Sequence, residues 1–197
     1  MTKEGKFRVD KSTEVIVPMM RQKKKLEWAK IDDLSSTMLE LPFKGGLVMQ
    51  FLLPNDEDGV SAVEAQLKDV NINSLFTNKS RTLQVMVKIP KFKLTNKMHL
   101  KNYFEHLGMK DLFSDKADLT KMTAETGISV SQITHEATIE INEEGSEAAA
   151  ATKAKFGFRS APRKPRKFFA DHPFLIFLRH KRSGMLLFQA KVINPIK

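Results

Sequence analysis

Few residues in this sequence are ready for chemistry. His135-Glu136 opens like a zinc-protease helix, but Ile139 occupies the place of the second histidine ligand, so the pair holds no metal. The alternation around it puts His135 on an apolar face, where a hydrogen-bonded core histidine is the expectation. Cysteine is absent, which removes disulfides, thiolate zinc sites and cysteine nucleophiles together. No Gly-x-Ser-x-Gly elbow, phosphate-cradling glycine loop or zinc cluster occurs. No catalytic activity, metal or other cofactor is therefore expected. What remains is charge. Arg21–Lys25 holds four bases in five residues, and Arg159–Lys167 holds five bases and no acid. Either run is a solvated loop or a contact for an anionic partner. A nucleic-acid partner would call for aromatics interleaved with the bases, and the chain has one Trp and one Tyr. Asn78-Lys-Ser is a glycosylation sequon, meaningful only in a secreted protein.

The elements that position these residues belong to an ordinary globular domain or a piece of one. Of the 197 residues 41% are apolar and 28% charged, which argues against wholesale disorder, and the net charge is +10. No apolar window is long enough to cross a membrane as a helix, and Met1-Thr-Lys-Glu-Gly-Lys leads into no apolar signal core. Neither a membrane span nor a signal peptide is expected.

Short strands are expected at Glu14–Met20, Leu26–Ala29, Thr37–Leu41 and Gly46–Leu53, separated by the spacers Gln22–Lys25, Lys30–Asp33 and Lys44–Gly46. A helix follows around Val60–Asp69. Residues 82–94 alternate with Leu83, Val85, Val87 and Ile89 on one face until Pro90 shifts the phase, which points to a sheet edge or bulge. Leu100, Tyr103, Phe104 and Leu107 repeat at helical spacing, with Gly108 at the C-terminal cap position. Ile133–Ile141 alternates as a long strand. Pro173–Leu178 and Met185–Phe188, with Val192-Ile193, read as two buried strands in a hairpin around Lys181–Gly184.

Between the long strand and that hairpin lies Glu143–Lys167, a patternless stretch whose length marks it as functional or disordered. Helix propensity favours an alanine-rich helix over Glu147–Lys155. Read at period two from Ser146, the same residues form a strand. One face is then Ser146, Ala148, Ala150, Thr152, Ala154, Phe156 and Phe158; the other carries Glu147, Lys153, Lys155 and Arg159. Both readings stand, and their coexistence suggests a segment that changes state.

At this point the sequence resembles the serpins, over nearly everything from Phe7 to Pro195. The resemblance rests on Asn142-Glu-Glu-Gly-Ser-Glu-Ala-Ala-Ala-Ala-Thr, on Ser131-Gln-Ile-Thr-His-Glu-Ala before it, and on Ile89-Pro-Lys-Phe-Lys. Leu107-Gly-Met-Lys-Asp-Leu-Phe-Ser, Asp171-His-Pro-Phe-Leu-Ile-Phe and Leu187-Phe188 ahead of Val192-Ile-Asn-Pro complete it, in the family's order. It implies an α+β fold of β-rich mixed sheets with few helices. Residues 1–197 would be the C-terminal portion of one such domain, lacking the N-terminal helices and the first strands of the main sheet.

The resemblance makes residues 143–167 a reactive-centre loop, the bait for a serine protease. Its hinge would comprise Glu143, Gly145, Ser146, Glu147, Ala148, Ala149, Ala150, Ala151 and Thr152. Gly145 gives freedom at the hinge, and the small residues can enter a closing slot without overpacking. The reactive bond falls between Arg159, fourteen residues beyond Gly145, and Ser160, so a trypsin-like protease is the implied partner. A slip of one residue puts Phe158 there and makes the target chymotrypsin-like. His135 would belong to the region where the sheet opens, and Glu143 would pair with Lys91. A heparin-like glycosaminoglycan would contact Arg163, Lys164, Arg166 and Lys167. The family favours an extracellular location, with an intracellular one left open. A non-inhibitory carrier or chaperone is the alternative, disfavoured by the small-residue hinge. Gln189-Ala190, where the family usually has a glycine, is a departure confined to local packing.

Overall fold

The computed structural model describes residues 2–76, 80–143 and 164–196. It separates into two compact units, residues 1–92 with 140–197, and residues 93–139. In chain order the elements are β1 (Thr2–Arg8), β2 (Glu14–Ile31), β3 (Ser36–Pro42), β4 (Leu47–Pro54), α1 (Val60–Gln66), α2 (Ile72–Phe76), β5 (Arg81–Pro90) and β6 (Phe92–His99). Then come α3 (Lys101–His106), β7 (Thr134–Ile141), β8 (Arg166–Phe169), β9 (Phe174–His180) and β10 (Leu186–Val192).

The first unit is built on one eight-stranded sheet in the order β10-β9-β4-β3-β2-β5-β8, with β1 added to β2. Every pairing is antiparallel except β5 with β8, which run parallel. Both faces of its centre are covered, which is why β4 is a nearly unbroken apolar run, buried from Val48 to Pro54. On one face α1, α2 and the turn after α1 pack Val60, Val63 and Leu75 onto Ile31, Met38, Leu52 and Phe177. Elsewhere five phenylalanines meet edge-on or tilted. Phe174 lies 6.3 Å from Phe7, 5.9 Å from Phe51 and 6.2 Å from Phe92 between ring centres, and Phe51 lies 6.4 Å from Phe168. Phe7, Phe51 and Phe174 are 0% exposed, so this cluster ties the N-terminal strand to the last third of the chain.

Several expectations are corrected. The two strands expected at Glu14–Met20 and Leu26–Ala29 are one strand, β2, because the spacer Gln22–Lys25 stays in the ladder. Ten consecutive residues, Met19–Trp28, pair without a break against Pro90–Arg81. The neighbouring backbone supplies the hydrogen bonds, so a polar stretch needs no apolar alternation to remain extended. Residues 82–94 are two strands, not one: β5 ends at Pro90, and Lys91 donates its N–H to the Pro18 carbonyl at 2.8 Å before β6 begins in a second sheet. The hairpin around Lys181–Gly184 forms, with Gly184 at φ +72°. However β10 is not buried: Leu186, Leu187 and Phe188 are exposed, Phe188 at 48%, because β10 is the end strand and pairs only with β9 among the described residues.

The second unit contains most of the two-stranded sheet β6–β7, and α3. Gly108, at φ +95°, closes α3, with the Met109 N–H donated to the Phe104 carbonyl at 2.9 Å. The apolar stripe of α3 is largely exposed, Tyr103 at 63% and Leu107 at 78%. The strand expected at Ile133–Ile141 is β7, with Ile133, Ala137 and Ile139 half-buried. His135 itself is exposed, which corrects the expected core histidine. The face it shares is only partly covered, so its ring keeps access to solvent.

Candidate functional site

The described part of the candidate site is the base of the long segment, where the chain leaves β7. Ile141 is the last strand residue, and Glu143 follows two positions later. Lys91 donates from Nζ to Glu143 Oε2 at 3.0 Å, and Thr2 donates from Oγ1 to Glu143 Oε1 at 2.5 Å. Lys91 reaches this position because its own backbone N–H is pinned to Pro18 of β2. Each carboxylate oxygen thus has a donor from a different segment, one at the start of β1 and one at the junction of β5 and β6. The hydrogen bond from Thr2, then one from a backbone N–H, then that from Lys91, hold the Glu143 carboxyl down at about 2 against an ordinary 4.5. Glu143 is therefore charged at any physiological pH. The side chains of Lys91 and Glu143 are both half-exposed, so the pair is a locator for the backbone more than a source of stability.

The chain returns as β8, which pairs in parallel with the middle of β5, from Val85 opposite Arg166 to Lys88 opposite Phe169. The Ala170 N–H then bonds the Lys88 carbonyl at 2.8 Å. Both ends of the segment are therefore held along one strand. Its return is held by β5 itself and its departure by Lys91, about 10 Å further on at the rise of extended chain.

Gly145, Ser146, Glu147, Ala148, Ala149, Ala150, Ala151, Thr152, Arg159, Ser160 and Arg163 lie outside the described residues, as does Asn78. Lys164 is exposed and precedes β8. Arg166 and Lys167 open β8, so the last two residues of the expected loop are already strand. Successive strand residues face opposite ways, and here the two cations separate: Arg166 lies over the Trp28 ring at 5.3 Å, Lys167 over the Phe169 ring at 5.9 Å. Arg166 and Lys167 consequently do not form one contact for an anion. Thr2 is the site residue that sequence reasoning missed. It lies 141 residues from Glu143, in a Lys- and Glu-rich strand with no apolar period to announce it. Among the described residues no group of three His, Asp or Glu side chains is arranged to hold a metal, and no helix is long and apolar enough to cross a membrane.

The family model described as Serpin (serine protease inhibitor) matches residues 1–195. The chain belongs to the serpin family. It is 39% identical over 200 residues to leukocyte elastase inhibitor of Bos taurus, covering 98% of this serpin and 53% of the relative. It is 43% identical over 180 residues to intracellular coagulation inhibitor 1 of Tachypleus tridentatus, covering 89% of this chain and 43% of that one. Among solved structures, Serpin48 of the insect Tenebrio molitor matches with a TM-score of 0.77 at 32% identity, over 98% of this chain and 50% of that one. The α+β, β-rich serpin architecture is thus present, and this serpin spans about half the length of the relatives it matches. These relatives are named as inhibitors. None of their names supports the extracellular location the family suggested, and one carries the word intracellular.

Proposed function

We propose that this chain carries the bait of a serine protease inhibitor. A protease whose specificity pocket holds a carboxylate takes Arg159, its serine hydroxyl attacks the Arg159 carbonyl, and the amine of Ser160 leaves, giving an acyl-enzyme. The freed end, from Gly145 onward, then enters a sheet as a new strand beside β7. The reading is carried by Glu143: a firmly held charged residue stands two positions before Gly145–Thr152, whose residues are small apart from Glu147, so a fixed base precedes a segment able to pack between strands.

Entry of about 12 residues adds on the order of 10 ladder bonds at roughly 0.5 to 1.5 kcal/mol each, on the order of 10 kcal/mol in all. That is enough to compete with the contacts holding a protease site in shape. It also requires a strand on each side of the slot, and among the described residues β7 pairs only with β6. The second flank must therefore come from another polypeptide or from further chain.

The test is incubation with trypsin, thrombin and chymotrypsin followed by mass spectrometry. The expected result for this chain alone is cleavage after Arg159 by the first two, without a detergent-stable adduct. With a serpin N-terminal half supplied, an adduct of protease with the fragment ending at Arg159 should form. Cleavage elsewhere overturns the assignment of the bond, and an adduct formed by this chain alone overturns the need for a second flank.

A further inference from the structure

Between Phe92 and Ile141 no residue is buried. Those two are 4% and 7% exposed, so both ends of this stretch enter a core and nothing between them does. Local opening costs less where fewer apolar contacts are buried, so this is the stretch that opens most readily. Its part from residue 114 to residue 133 holds neither helix nor strand. Residues 119–123 form a turn, with Met122 and Thr123 both donating their N–H to the Leu119 carbonyl, at 2.8 and 3.1 Å. Beyond the turn, residues 124–129 take part in no backbone–backbone hydrogen bond among the described residues. The chain is tied again where the Val130 N–H is donated to the Leu112 carbonyl at 3.0 Å. Lys121 is exposed, and Met122 beside it is 85% exposed.

We propose that the Lys121–Met122 bond is a second cleavage site for a Lys- or Arg-specific serine protease, and that cutting it disarms the chain by freeing the start of β7. The serine hydroxyl attacks the Lys121 carbonyl, the Met122 amine leaves, and water then releases the Lys121 carboxylate. A protease takes its substrate extended, so the two bonds to Leu119 must open; with no core beneath them, little else has to open too. Charge selects among the nearby lysines. Lys110 precedes Asp111, and Lys116 follows Asp115 and stands two residues before Asp118, acids that a carboxylate in the specificity pocket repels. Lys121 has no acid within two residues on either side. Lys23, Lys24, Lys25 and Lys88 lie inside the β2–β5 ladder and are reached only when that ladder opens. The cut places β6 and β7 on different polypeptides and removes the loop closure that favours their pairing. What remains is a two-stranded ribbon, marginal by itself, in which Thr95 Oγ1 and Thr138 Oγ1 lie 3.0 Å apart. The anchor of β7, at Ile141 and Glu143, is at its far end. β7 therefore frays from Thr134, and a frayed strand cannot flank an incoming one. The cleavage site is independent of the bait reading, whereas the disarming rests on it.

The full chain is digested with trypsin at low ratio and sampled by intact-mass spectrometry, beside Lys121→Gln and Lys116→Gln. The fragment 1–121 is expected early, with cuts inside β2 and β5 at least about 10-fold slower. Lys121→Gln should lose that fragment and Lys116→Gln should keep it. Hydrogen exchange after digestion then compares wild type with Lys121→Gln; both are cut within residues 143–167, so the Lys121 bond is the difference between them. Amides of residues 134–139 should lose protection in wild type and keep it in the variant. If β2 is cut before the fragment 1–121 appears, or if Lys116→Gln abolishes the fragment as fully as Lys121→Gln, the site is overturned. Equal protection of β7 in the two digests overturns the disarming. A fragment ending at Arg159 bears on the bait alone: its absence beside the fragment 1–121 would overturn the bait reading and leave the second cleavage site standing.

Discussion

The eight-stranded sheet and the two-stranded sheet are written in similar sequence patterns and end in different states. Both β5 and β7 alternate apolar and polar residues. In β5 the alternate positions Val85, Val87 and Ile89 are buried, because β2 and β8 flank the strand and other layers cover it. On the corresponding face of β7, Ala137 and Ile139 are half-buried, His135 is exposed, and only Ile141, at the end of the strand, is buried. The helix α3 in the same unit likewise leaves Tyr103 and Leu107 in solvent. An alternating pattern states which face is to be covered; whether a cover exists depends on the rest of the chain. A two-stranded ribbon is marginal by itself, whereas a strand flanked on both sides in a sheet with covered faces is held independently. The first region therefore has the properties of a platform, whereas in the second β7 pairs, among the described residues, only with β6.

Substitutions sharpen that contrast. Phe174→Ala empties the centre of the five-ring cluster and should cost about 3 to 5 kcal/mol, while Tyr103→Ala in α3 should cost at most about 0.5. Urea unfolding of both variants checks this, and comparable losses would erase the distinction between the two regions. Next in size is Glu40→Ala. Glu40 is buried and accepts from Gln50 at 3.0 Å and from Lys181 at 2.6 Å, so its removal leaves the Gln50 amide without that acceptor, at about 1 to 3 kcal/mol. The same unfolding experiment reads it as a lower midpoint at unchanged slope.

The third test is a titration. Because the Glu143 carboxyl is depressed from 4.5 to about 2 in the folded chain, the contribution of its contacts is complete above 4.5 and is lost as pH falls toward 2. Carbon-13 NMR of the Glu143 side chain should show a midpoint near 2. Thr2→Val should raise it more than Lys91→Met, since the Thr2 bond is the larger influence; a wild-type midpoint near 4.5 would mean that the base is not anchored. Last and smallest, His135→Ala should change stability by less than about 0.5 kcal/mol, because the ring is exposed. A larger loss would show that β7 is covered in solution.

Much of this was legible in the residues. Val48–Leu53 announces a central strand by having no polar face, and Gly108 and Gly184 mark turns that need positive φ. The family marks around Asn142–Thr152 identify the long segment, and the resemblance names both partners of the Lys91–Glu143 contact. The polar strands were not legible. β1 has one buried residue, Phe7, among lysines and a glutamate, and the middle of β2 has none from Met20 to Lys25. Their extended form is imposed by neighbours distant in sequence, which no local period records. β8 was concealed differently, since Arg166-Lys167 reads as the end of a basic loop until β5 is seen beside it. For the same reason the expected anion contact was grouped by sequence adjacency, whereas pleating divides adjacent residues and assembles distant ones.

The parallel seating of β8 on β5 has one more consequence. Phe168 and Phe174 are embedded in the ring cluster, and β9 lies between β10 and β4. The described chain from Arg166 to Val192, through β8, β9 and β10, is thereby woven into the platform by non-covalent contacts alone. A protease that severs the bond after Arg159 would leave one particle made of two polypeptides, indivisible under native conditions and separable only when the sheet itself is dissolved.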